Sequence, residues 1–218
     1  MSSTFCKAIL VLMNDVNKIN KIKQWLGSGS IDIFGRPFAG KDSQCLELAK
    51  VFGGKVISGG DILRSSKETS KLLKNNIDNG KMAPSNEYLE IVTNYFNKKE
   101  LFGTPLMLSS VGRWHGEEYP IMQALEKSNH PLKLAIYLNI SNEESYRRWM
   151  MLKDFNDRPN RADDTKEILK IRNQQFNEKT LPVIQYYRQL NMLVEVDGNK
   201  SRHEVTKDII EYIYQKIS

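Results

Sequence analysis

Cysteine and histidine are scarce: two cysteines, Cys6 and Cys45, and three histidines occur in 218 residues. Two isolated thiols build neither a disulfide framework nor the cysteine quartet of a structural zinc site, so a reducing, cytoplasmic setting is expected. Long apolar runs are missing too. The patch from Ala8 to Met13 falls far short of the ~20 residues that a membrane helix needs. Asn14-Asp15 follows it directly, with no small-residue cleavage site, so neither a membrane span nor a signal peptide is expected. No internal repeat and no low-complexity segment occurs. Nor does the chain carry a basic stripe interleaved with aromatics, the pattern that stacks single-stranded bases, and nucleic acid is not an expected partner.

The composition that remains, 40% hydrophobic and 27% charged, suits one globular domain with a real core and room for small inserted subdomains. A net charge of +6 fits a site for polyanions. The arginines gather late in the chain, with Arg147, Arg148, Arg158, Arg161 and Arg172 in one short stretch.

Residues 1–30 read as an addition in front of the core. Val11, Leu12, Val16, Ile19, Ile22, Trp25 and Leu26 recur at helical spacing and predict a helix that packs an apolar stripe on the rest. Gly27-Ser28-Gly29-Ser30 then makes a short joint. Beyond it, strands are expected at Ile31 to Phe34, Lys55 to Ile57, Leu106 to Leu108, Leu134 to Ile140 and Leu193 to Val196. Helices alternate with them: Asp42 to Phe52, Asp61 to Leu73, Asn86 to Asn97, Ile121 to Lys127, Asn142 to Leu152, and His203 to Ile217. One long helix from Thr165 to Gln189 must accommodate Pro182. This alternation implies a parallel sheet covered by helices on both faces.

The chemistry begins at Gly35-Arg36-Pro37-Phe38-Ala39-Gly40-Lys41-Asp42-Ser43, between the first strand and the first core helix. Glycines at both ends let backbone amides curl round a phosphate, and the positive end of the helix faces it. Lys41 is placed to reach the outer phosphates and Ser43 to face a magnesium ion. The ATP-binding residues expected here are therefore Gly35, Arg36, Pro37, Phe38, Ala39, Gly40, Lys41, Asp42 and Ser43.

This loop resembles that of adenylate kinases and related nucleoside monophosphate kinases, and the resemblance continues in order. Ile57-Ser58-Gly59-Gly60-Asp61-Ile62-Leu63-Arg64 is similar to the segment that opens that family's monophosphate-binding subdomain. Gly80-Lys81-Met82-Ala83-Pro84 is similar to its closing strip. Arg161-Ala162-Asp163-Asp164, with Arg172 eleven residues after Arg161, resembles the signature beyond the lid, and Val194-Glu195-Val196-Asp197-Gly198 the last strand. The resemblance implies an α/β fold of the P-loop NTPase type over residues 31–218, with a monophosphate-binding insertion at about 60–90 and a short lid at about 153–162. It implies phosphoryl transfer from ATP to a nucleoside monophosphate, with Mg2+, in a monomer. Lys41, Arg113, Arg161 and Arg172 would be catalytic. Gly59, Arg64, Met82, Arg113 and Glu117 would bind the monophosphate. Arg148 would stack on the ATP base, and Asp61 would reach the metal through water. The stretch after Arg148 is too short, and too poor in cysteine, for a zinc-bearing lid.

Four departures stand out. The family's Asp-Gly-Phe-Pro-Arg is Ser109-Ser110-Val111-Gly112-Arg113 here, so an aspartate that helps to hold the metal's hydration shell is missing. Asp42 follows the loop lysine where a glycine is usual, and either supplies the missing charge or repels the phosphates. Phe38 also replaces a glycine and restricts the backbone. Glu117 takes the place of a Gln that reads adenine; an ionised carboxylate accepts hydrogen bonds but donates none, which favours guanine. These departures keep open a second reading, a nucleotide-binding protein with weak or no kinase activity. A kinase for a non-nucleotide acceptor is a third, but leaves Arg64 and the strip at Met82 without a role.

Overall fold

The computed structural model describes residues 3–65, 85–154 and 165–218. In chain order these form α1 (Ser3–Leu26), β1 (Ser30–Gly35), α2 (Lys41–Phe52), β2 (Lys55–Ser58) and α3 (Gly59–Ser65). After the first gap come α4 (Ser85–Phe96), a 3-10 turn (Lys99–Leu101), β3 (Leu106–Ser109), α5 (Glu118–Lys127), β4 (Leu132–Asn139) and α6 (Asn142–Asp154). The last stretch holds α7 (Lys166–Gln175), a π turn (Phe176–Thr180), α8 (Leu181–Gln189), β5 (Leu193–Asp197) and α9 (Arg202–Ile217).

The strands make one five-stranded sheet in the order β2-β3-β1-β4-β5, with every neighbouring pair parallel. β1 and β3 are buried along their whole length, as strands covered on both faces must be. Alternate residues of β1 feed two cores. Ile31 and Ile33 join Leu48 of α2, Ile22 of α1 and Ile209 of α9 on one face. Phe34 joins Tyr88 of α4, Ile121 of α5 and Tyr187 of α8 on the other. β3 and β4 flank β1 on opposite sides, and the crevice outside their carboxyl ends is where such sheets hold ligands.

The N-terminal helix packs as its spacing predicts at its C-terminal end. Ile22 and Leu26 are buried, and Lys18 Nζ pairs with Glu211 Oε2 of α9 at 2.5 Å. Val16, on the same predicted stripe, is exposed. No described helix is long and apolar enough to cross a membrane.

The expected helix from Thr165 to Gln189 is instead two helices joined by the π turn. Pro182 has no amide hydrogen, and in a regular helix its ring would strike the carbonyl four residues back. The widened turn, in which Leu181 N donates to Phe176 O, takes up the conflict. The helix expected at Asp61 to Leu73 is seen only as α3. Its remainder, most of the expected insertion at about 60–90 and the core of the expected lid at about 153–162 lie outside the described residues.

Candidate active site

β1 ends at Gly35, where a Cβ would sit 2.9 Å from the Leu138 carbonyl oxygen, so only glycine lets the strand end so close to β4. The loop then turns into α2 through Gly40, at φ 94°. Phe38 also adopts a left-handed backbone, φ 62°, where a side chain costs on the order of 1–2 kcal/mol. Lys41, the first residue of α2, folds back over the loop, and its Nζ donates to Gly35 O at 2.9 Å and Arg36 O at 2.8 Å. Burial pulls the Lys41 ammonium down to about 8, against the attraction of Asp42. Arg113 and Arg172 are close enough to push it further the same way. Residues from α2, the β3–α5 turn and α7 thus place three cations round one loop.

Asp42 is exposed on the first turn of α2. Its Oδ1 accepts a hydrogen bond from Ser109 Oγ, at the end of β3, at 2.5 Å. Ser43 follows on the same turn, half-buried.

The loop's outer side is tied to two helices. Ser145 Oγ donates to Pro37 O at 2.8 Å and accepts from Asn173 Nδ2 at 3.3 Å. Arg148 is anchored against the loop by the edge of its guanidinium. It donates to Glu144 at 2.7 Å and Gly198 O at 2.6 Å, with longer contacts to Phe38 O and Ala39 O. Arg147 pairs with Glu144. Arg36 stacks on the Phe176 ring of the π turn, 4.7 Å from its centre.

On the other side, the turn from Ser110 to Glu117 links β3 to α5. Ser110 and Gly112 are left-handed, at φ 52° and 69°. Gly112 N donates to Tyr88 Oη at 2.8 Å, and Val111 N reaches Asp32 Oδ1 at 3.4 Å. Arg113 follows, exposed. Glu117 is buried and its Oε2 accepts from Trp114 N at 3.1 Å, while Glu118 accepts from Gly116 N at 2.6 Å. His115 N donates to Lys179 O at 3.1 Å, docking this turn on the π turn. Gly59 is buried at the start of α3, where a Cβ would meet Tyr88 Oη at 2.8 Å.

The structure therefore gathers Gly35 to Ser43, Arg113, Arg148 and Arg172 round one crevice. Asp61 and Arg64 fall on α3, but only its backbone is described at those positions. Met82 and Arg161 lie outside the described residues. Sequence reasoning missed Asp32, Tyr88, Ser145 and Asn173. Asp32 alone left a signal, a carboxyl inside an apolar strand run. Among the described residues no group of three or more His, Cys, Asp or Glu side chains converges. A magnesium ion does not need one. It takes one or two carboxylates and completes its shell with water and phosphate oxygens, and Asp42 and Ser43 are hard oxygen donors of that kind.

A parallel sheet with a glycine-bounded loop and lysine at the end of its central strand defines a P-loop nucleotide-binding fold. The adenylate kinase family model matches residues 33–192. An adenylate kinase of Elusimicrobium minutum is 29% identical over 85% of this chain and 99% of its own length. UMP-CMP kinase 1 of Oryza sativa subsp. japonica is 31% identical over 81% of this chain and 70% of its own. An adenylate kinase of Schistosoma mansoni is 28% identical over 81% and 92%. The chain belongs to the adenylate kinase family.

Proposed function

We propose that this chain transfers the terminal phosphoryl group of ATP to a nucleoside monophosphate. The observation that carries the reading is the convergence of Lys41, Arg113 and Arg172 on one phosphate loop. Like charges are brought together at a cost, and a polyanion between them repays it. Phosphoryl transfer asks for that arrangement, since the transition state spreads charge over the moving oxygens and fixed donors stabilise it.

The loop from Gly35 to Gly40 cradles the donor phosphates, and Lys41 exchanges its bonds to Gly35 O and Arg36 O for phosphate oxygens. Arg113 holds the acceptor phosphate, with Arg64. Arg172 covers the transferred group, with Arg161. Arg148 fixes the loop from behind, through the Phe38 and Ala39 carbonyls, at the edge of the ATP base site. Gly59 and Met82 belong to the acceptor side. Magnesium, when bound, neutralises phosphate charge; Ser43 and Asp42 would hold it, with Asp61 through water. The rest is positioning, which is most of what this reaction requires.

The relatives named above are adenylate kinases and a UMP-CMP kinase, so AMP, UMP and CMP are the first acceptors to test, and Glu117 adds GMP. The test is incubation with Mg-ATP and each of AMP, GMP, CMP and UMP, following diphosphate formation. Turnover with at least one is expected. ATP binding without turnover on any would overturn the kinase reading. It would favour a nucleotide-binding protein, the reading that Phe38's left-handed backbone supports.

A further inference from the structure

Asp32 sits in the middle of β1, opposite Leu108 of β3 and Ala135 of β4, and is 1% exposed. An aliphatic side chain would suit this place better, because a buried carboxyl loses its water. Burial does drive the Asp32 carboxyl well above its ordinary range. A residue that breaks the local packing rule points to a role elsewhere.

Its neighbours show where. Asp32 Oδ1 accepts from Val111 N, and Tyr88 Oη accepts from the next amide, Gly112 N. The Ser110 amide lies near Asp32 as well. These amides form the middle of the turn whose ends matter to the site. Ser109, at one end, holds Asp42, and Arg113 is the other. The turn is strained at Ser110, so it needs holding. Asp32 Oδ2 and Tyr187 Oη, both buried, have no hydrogen-bond partner among the described residues. After burial, Asp32 is the largest influence raising the Tyr187 hydroxyl, so the two side chains are neighbours.

We propose that Asp32 is a positioning residue for phosphoryl transfer: from within the sheet it fixes the Ser109–Arg113 turn and so sets where Arg113 meets the acceptor phosphate. The role of Arg113 rests on the kinase reading; the holding of the turn does not.

The test compares Asp32→Val with Asp32→Asn. Valine suits a buried strand but leaves the Val111 amide without its acceptor; asparagine keeps an acceptor oxygen. Asp32→Val is expected to melt no lower than wild type, to raise the acceptor KM about tenfold or more, and to leave the ATP KM within about twofold, the size of effect a buried unpaired amide produces. Asp32→Asn should restore both. Amide hydrogen exchange over residues 110–113 should quicken in Asp32→Val and return to wild-type rates in Asp32→Asn. Unchanged acceptor KM and unchanged exchange in Asp32→Val would overturn the proposal. If Asp32→Val does not fold, Tyr88→Phe removes the neighbouring acceptor, and an unchanged acceptor KM and exchange there would overturn it too. Should the wild type show no turnover with any acceptor, the kinase reading fails, while the exchange rates still decide whether Asp32 holds the turn.

Discussion

Ser109 Oγ donates to Asp42 Oδ1 at 2.5 Å, joining the end of β3 to the first turn of α2. The family pattern places an aspartate at the first of these positions and a glycine at the second. Here the carboxylate has changed element while staying in the same crevice, beside Lys41. If Asp42 supplies the charge that Ser109 lacks, Asp42→Asn should raise the magnesium needed for half-maximal binding of a non-hydrolysable ATP analogue by about tenfold, the worth of one charge-assisted contact. Ser109→Ala should do less, and the double variant Ser109→Asp with Asp42→Gly should recover most of the loss. Higher activity in Asp42→Gly than in wild type would show that the carboxylate repels the phosphates.

Lys41 gives a pH dependence with a definite sign. Its ammonium titrates at about 8 in the fold and near 10.5 when unfolded. Between those values the unfolded chain binds more protons, so this group makes stability rise with pH there and leaves it flat below. Denaturant melts at pH 7.5 and 9.5 should show wild type gaining on Lys41→Met by on the order of 1–2 kcal/mol, since the side chain keeps some contact with water. Affinity for ATP should move the other way and weaken above pH 8, because a neutral amine no longer attracts phosphate.

Phe38 predicts an order of variants. Its φ of 62° suits glycine and asparagine and punishes a branched Cβ. Phe38→Asn and Phe38→Gly should be about as stable as wild type, and Phe38→Val lower by about 1–2 kcal/mol with weaker ATP binding. Equal melting of all three would mean that the loop relaxes out of the left-handed region.

Glu117 is buried and accepts from Trp114 N. Glu117→Gln keeps an acceptor for that amide, so its stability should stay within about 1 kcal/mol of wild type. If this side chain also reads the acceptor base, the exchange raises the use of AMP relative to GMP. An unchanged preference would leave Glu117 as an anchor of the turn alone.

The layout was legible where local chemistry decides it. Short apolar runs marked the strands, and Gly35 to Ser43 marked the loop, because each needs only neighbours in sequence. Asp42 and Ser109 both stand out in the sequence, yet 67 residues separate them, and only the placing of β3 beside β1 makes them partners. Arg148 was expected to present its plane to a base. Its edge is held by Glu144, one turn before it, and by Gly198, after the last strand, two partners that no local pattern announces. Pro182 announced a conflict in the long helix without saying whether a kink, a break or a widened turn would settle it.

That widened turn is also a gauge of chain length. Each residue gained or lost in a helix rotates everything beyond it by about 100°. Phe176 and Lys179 receive Arg36 and the His115 amide, so both loops of the site are keyed to one phase of this segment. A deletion of one residue between Arg172 and Pro182 would close the turn to ordinary spacing and swing Arg172 away from Lys41. The count of residues here is therefore as much a part of the site as the side chains that line it.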